Sequence, residues 1–138
     1  MTQAIIFTND NGGVATCIPT GEISIEAVME KDVPKGRNAK IVNIADLPNQ
    51  YNDFYDAWEL VDGTVSVNKD KAVELTKARL RSERTPLLAE QDVLFQRNLE
   101  TGADNSAVVA EKQRLRDVTT LATADKSLEE LRGLKAGV

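Results

Sequence analysis

The sequence predicts an α+β fold: a small N-terminal antiparallel sheet unit with a short helix, followed by a C-terminal helical region containing a helical hairpin. Three observations carry this. Residues 1–67 are cut into short apolar stretches by the turn strings DNGG, IPTG, VPKG, ADLPN and VDG, the spacing of short strands and turns. Asp62-Gly63 sits between two β-rich runs in AWELVDGTVSV, a strong hairpin signal. After Val67 the pattern changes: from Asn68 to Val138 the only proline is Pro86 and strong helix formers dominate. The expected division is therefore 1–67 and 68–138, in a chain whose 138 residues suit one compact domain or a small domain with a helical appendage.

In the first half, QAIIFT (3–8) and VATCI (14–18) flank Asn11-Gly12-Gly13, which supplies the positive-φ positions of a hairpin loop. Ser24 precedes IEAVMEK, where Ile25, Val28 and Met29 share a helical face, and Pro34 limits how far that helix runs. AKIVNI (39–44) has the β-branched content of a strand.

In the second half, Asn68 is placed to cap a helix in which Ala72, Val73, Thr76 and Leu80 follow helical spacing. Thr85-Pro86 either starts a new helix or kinks a continuing one. Leu88, Phe95 and Leu99 form one stripe, ETGADNS (100–106) breaks the run, and a second arm from about Ser106 to Leu121 carries Val108, Leu115, Val118 and Ala122 on one seam. Ser127 and Glu130 occupy the positions of a capping box before a short last helix.

Composition narrows the function. Residues 1–68 hold 4 Lys/Arg against 10 Asp/Glu, and residues 69–138 hold 13 against 12. An acidic half beside a balanced half disfavours nucleic acid, which needs a basic surface, and leaves a protein as the default partner. No apolar run approaches the roughly 20 residues that span a bilayer, and MTQAIIFTND lacks the features of a secretory signal, so the cytoplasm is the expected compartment. With one cysteine and no histidine, neither a disulfide nor a common zinc site is expected. Cys17 has no histidine partner, no serine lies in a nucleophile elbow, and DNGG and VPKG lack phosphate-loop spacing. No catalytic, cofactor-binding or metal-binding residues are assigned, and no enzyme is expected.

The binding candidates are surface and seam residues. YNDFYDAWEL (51–60) gathers Tyr51, Phe54, Tyr55 and Trp58. These rings are either the anchor of an aromatic-poor core or a patch for a protein partner, with Tyr55 and Trp58 as its contacts. Asp92 shares a helical face with Leu88, Phe95 and Leu99, so its carboxylate should find a partner on the second arm, Arg114 or Arg116. Arg114 and Asp117 have the spacing of an exposed i,i+3 pair.

Two strings also resemble a known family. RSERTPLLAEQDV (81–93) followed by EKQRLRDVTTLA (111–122) is similar to the phage tail assembly chaperone-like family, whose pattern is a basic helix running into Leu-Leu-Ala-x-x-Asp and, after an interval, Gln-x-Leu-Arg-Asp. Leu87, Leu88, Ala89 and Asp92 match the first part; Gln113, Leu115, Arg116 and Asp117 match the second; Arg84 sits where a basic residue is usual. Val93 stands where the family often has tryptophan, and Val108 and Glu111 stand where it often has an aromatic pair. The string VPKG…IVNIADLP…FYDAWEL also resembles a small α+β unit that precedes this helical region in many short phage tail proteins.

The resemblance implies a noncatalytic bacteriophage tail protein, an assembly chaperone that binds a tube, tip or fibre component in the host cytoplasm during morphogenesis and is missing from finished virions. Its alternatives are a minor structural subunit of the tail, associated with fibre, tip or collar, and a small host-directed binding protein. Exposed helix faces make self-association plausible; no membrane or nucleic-acid partner is implied. The partner-contact candidates are Leu88, Asp92, Phe95, Arg114, Arg116, Asp117, Tyr55 and Trp58.

Overall fold

A computed structural model describes residues 2–137. The fold is mixed α+β, with antiparallel strands in the N-terminal part and helices after them. It divides into two compact units, the first ending at Lys71 and the second beginning at Ala72.

The first unit contains β1 (Gln3–Thr8), β2 (Val14–Cys17), α1 (Ile25–Asp32), β3 (Lys40–Asn43), β4 (Trp58–Val61) and β5 (Thr64–Val67), with 3₁₀ turns at Ile44–Asp46 and Asn49–Ala57. β1 is the central strand of an antiparallel sheet of order β2-β1-β3, and β4 pairs with β5 in a second antiparallel ribbon. Opposite β1, Ile5 faces Cys17 and Ile41, while Ile6 faces Thr16 and Lys40. Successive strand side chains point to opposite faces, and both faces of β1 are covered. Ile5 packs with Val28, Val33, Phe7, Cys17 and Ile41 on the α1 side. Ile6 packs with Val14, Trp58, Val42 and Val65 on the side of the β4–β5 ribbon. This explains why AIIF reads as a continuous apolar run rather than an alternating one.

Local chemistry sets the turns. Asp62 (φ 52°) and Gly63 (φ 78°) both take positive φ, as a tight two-residue hairpin requires. In the first hairpin only Gly12 (φ 80°) of the expected Asn11-Gly12-Gly13 trio does so. The work falls instead to Asn9, whose Oδ1 accepts from the backbone N–H of Asn11 at 2.9 Å and of Gly13 at 2.8 Å, an Asx-type turn. Ser24 caps α1 by accepting from Ala27 N–H at 3.2 Å, and Val33 is extended before Pro34 (φ −98°, ψ 126°), as the proline ring demands.

α2 (Lys69–Thr101) starts in the first unit. Asn68 ties its first turn there: its N–H donates to Ala57 O at 2.7 Å, its Nδ2 to Glu59 Oε2 at 3.0 Å, and its Oδ1 accepts from Lys71 N–H at 3.1 Å. The unit boundary therefore falls inside the helix, past the change in composition at Val67.

The second unit holds the rest of α2, then α3 (Ser106–Asp117), a 3₁₀ turn at Val118–Leu121 and α4 (Leu128–Gly133). α2 continues through Pro86. A proline here removes the hydrogen bond to the carbonyl of residue 82, but Ser82 and Pro86 are both exposed, so that carbonyl lies where water reaches it. Thr85, read as a cap, is an interior residue whose hydroxyl donates to Arg81 O at 2.9 Å. α2 ends at a Schellman turn: Gly102 has φ 72° and Ala103 N–H donates to Asn98 O at 2.9 Å. The expected seam residues Val108, Leu115, Val118 and Ala122 are all buried, as are Leu80, Leu131 and Ala136. α4 carries the capping box of Ser127 and Glu130, with both hydrogen bonds at 3.1 Å. Among the described residues no helix is long and apolar enough to cross a membrane.

Candidate functional site: the α2–α3 seam and its flank

After the Gly102 turn, α3 runs back along α2, and polar cross-links mark the antiparallel register. Nearest the turn, Asn98 Nδ2 donates to Asn105 Oδ1 at 3.0 Å, and Asn105 Nδ2 donates to Phe95 O at 3.3 Å. One step along, Lys112 Nζ lies 2.6 Å from Asp92 Oδ1 and 5.2 Å from the centre of the Phe95 ring, a cation–π distance. Farther still, Arg84 Nη1 donates to Arg116 O at 2.7 Å and to Leu115 O at 3.4 Å. Both carbonyls lie in the last turn of α3, where the helical ladder runs out, and Leu115 O also accepts from the Val118 N–H. Beyond Asp117 the chain tightens into the 3₁₀ turn at Val118–Leu121 instead of extending α3 to Leu121.

Asp92 does have a partner on the second arm, but it is Lys112 rather than Arg114 or Arg116. Residues 112 and 114 stand 200° apart at 100° per residue, so only one of them can face α2. The Asp92 side chain is 63% exposed and that of Lys112 is 18% exposed; the lysine stem, not the carboxylate, fills the interface. Leu88 and Phe95 are half-buried beside it, whereas Leu99 is 58% exposed. Asp117 accepts from Gln113 Nε2 at 3.0 and 3.1 Å and makes no pair with Arg114. Arg116 is exposed and contributes its carbonyl to the Arg84 contact.

Arg114 turns to the other flank of α3. It grips Glu111 through Nε at 3.1 Å and Nη2 at 2.5 Å, and the same Nη2 donates to Ala136 O at 3.0 Å. Opposite it on α2, Glu83 accepts from Ala136 N–H at 3.0 Å and from Arg79 at 2.6 Å, while Arg79 Nη2 donates to Leu131 O at 3.0 Å. The hydrogen bond from Ala136 is the main cause holding the Glu83 carboxyl below its ordinary range, with partial burial opposing it and Arg79 assisting. The Arg114 hydrogen bond holds Glu111 down against burial, and Glu111 in turn raises Arg114. The pairs Arg79/Glu83 and Glu111/Arg114 have helical i,i+4 and i,i+3 spacing, so each was open to sequence reading. Their joint grip on residue 136 was not, because it spans 53 and 22 positions.

The aromatic string belongs to the core. Trp58 is 2% exposed and Phe54 5%. Trp58 Nε1 donates to Tyr51 O at 3.1 Å, its ring lies 4.8 Å from that of Tyr55, and the Tyr55 and Thr16 hydroxyls are 3.2 Å apart. Trp58 therefore offers no surface to a partner, and Tyr55 is half-buried. Cys17 is half-buried against the Ile5 cluster.

Two concave surfaces are lined partly by apolar side chains. One, of about 390 Å³, lies between α1 and its following loop, lined by Met29, Val33, Pro34, Ala39 and charged neighbours. The other, of about 350 Å³, is lined by Arg114, Asp117, Val118, Thr120 and Leu121 and brings two candidate residues together. Among the described residues no three Cys, Asp or Glu side chains converge as a metal site. Comparison with protein-family models, with curated proteins and with solved structures gave no match to this chain.

Proposed function

We propose that the protein is a noncatalytic tail-assembly factor of the chaperone type, which binds a tail component of a bacteriophage through its helical hairpin, in the host cytoplasm during morphogenesis. One observation carries the reading. The strings that resemble the tail assembly chaperone-like family pack on each other as the two arms of one hairpin, with Arg84 and Asp92 cross-linking them. Outside that seam Val93 (50%), Leu94 (41%), Leu99 (58%) and Val109 (51%) remain exposed near its closed end. Apolar side chains displayed on a rigid helical scaffold suit a helix-and-groove contact with an apolar surface of another protein. A binder that shields such a surface needs no catalytic group, and Arg84, Asp92 and Lys112 are engaged in structural links.

Affinity capture with a tagged chain from infected cells tests this. A tail protein should be recovered with the wild-type chain and lost with Leu94→Asp/Leu99→Asp, two exposed positions whose change leaves the seam intact. Capture of no tail protein overturns the reading. Mass spectrometry of purified particles separates the chaperone from a minor tail subunit: stoichiometric presence in the virion establishes the subunit instead.

A further inference from the structure

We propose that Glu83 and Arg114 form a backbone-reading peptide site, filled in cis by Ala136 and open to a segment of a partner polypeptide that carries a small side chain at that position. The two side chains take both polar groups of one residue: Glu83 accepts the Ala136 N–H and Arg114 donates to the Ala136 carbonyl, each at 3.0 Å. Arg79 fixes a third main-chain atom, Leu131 O. The fastenings are thus to backbone, and the side chains inserted are Leu131 and Ala136, both 0% exposed. Such a site reads chain direction, an apolar anchor and a small residue five positions on. It rejects a large side chain at the second place, because the methyl group of Ala136 is fully covered.

The bracket is preorganised. Arg79 holds Glu83 from one side and Glu111 holds Arg114 from the other, so little order is lost when a peptide arrives. It is also at the surface: the Glu83 and Arg114 side chains are 35% and 39% exposed, although the residue between them is covered. The resident segment is suited to leaving, since α4 has six residues, far below the length at which a helix is stable alone. The site stands whatever the partner's origin and does not rest on the tail-assembly reading.

The test uses the full chain and a fluorescent peptide, KSLEELRGLKAG, matching residues 126–137. Ala136→Trp in the full chain should expel the resident segment, and the peptide should then bind about tenfold or more tighter than to the wild-type chain, whose site is mostly occupied. Adding Glu83→Gln should abolish the gain, and a peptide with tryptophan at the alanine position should not bind. Equal binding to both chains, or none to either, overturns the proposal. Hydrogen exchange on Glu83→Gln alone provides a readout that does not depend on the tryptophan variant folding. The Ala136 amide should exchange about tenfold faster with the Leu115 amide unchanged; equal acceleration of both would make the segment an integral part of the core and overturn the exchange site.

Discussion

Ile5 and Ile6 are adjacent, both 0% exposed, and each sits in a different apolar cluster on opposite faces of β1. Asp92 and Lys112 are 20 positions apart, both carry charge, and they close the α2–α3 seam with the lysine more covered than the aspartate. The strand unit is held by rings and branched aliphatic side chains facing inward from both sides. The hairpin combines a buried row, Val108, Leu115 and Val118, with polar links that set its register. Burial without direction makes a core; charge-assisted hydrogen bonds to chosen carbonyls and amides choose which helix turn meets which. The difference predicts that the two regions fail differently.

The largest loss should come from Trp58→Ala. Removing a ring that is 2% exposed and central to the Ile6 cluster should cost about 3–5 kcal/mol, measured by urea unfolding followed by circular dichroism. A loss near that of a surface substitution would show that the Trp58 ring does not anchor the Ile6 cluster. Arg84→Ala comes next, at about 1 kcal/mol for the loss of two hydrogen bonds from a charged donor to carbonyls near a helix end. Hydrogen exchange should quicken around Asp117 and leave the strands unaffected; quickening of β1 instead would break the contrast between the units. Asp92→Asn should be milder still, below about 1 kcal/mol and fading with added salt, because its carboxylate is largely solvated. A salt-independent loss would mean that the pair is more deeply embedded than its exposure implies.

Acid sharpens the contrast without a substitution. Glu83 and Glu111 are held below the ordinary glutamate value of 4.5 in the fold, so the folded state favours their charged forms. Their contribution is fully present above that value and is lost as the pH falls through the lower folded values. Titration followed by amide chemical shifts should therefore show Ala136 loosening only on the acid side of about pH 4.5. Loosening that begins near neutrality would point to another group.

Much of the fold was legible because it rests on local chemistry. The Ser127 and Glu130 capping box, the Ser24 cap, the Asp62-Gly63 turn and the Val33-Pro34 stop all involve residues within a few positions of one another. The buried row Val108, Leu115, Val118 and Ala122 followed from helical periodicity. The aromatic string is where two readings competed, since large rings serve cores and interfaces equally well, and only the closure of β4–β5 over Ile6 put Trp58 inside. The candidate site was half legible. Asp92 was placed at the seam, but its partner depends on the rotation of α3 about its own axis, which no pairing of opposite charges along the chain specifies.

By itself, then, the sequence determined the α+β order, the hairpins, the helix caps and the apolar faces, because each depends on φ preferences, short-range hydrogen bonds or a fixed repeat. Tertiary structure alone decided that Lys112 rather than Arg114 meets Asp92, that Arg84 closes the end of α3, and that Glu83 and Arg114 enclose Ala136. Those choices depend on where distant backbone atoms come to rest once the helices have packed, and main-chain carbonyls and amides are chemically alike at every position until the fold selects among them.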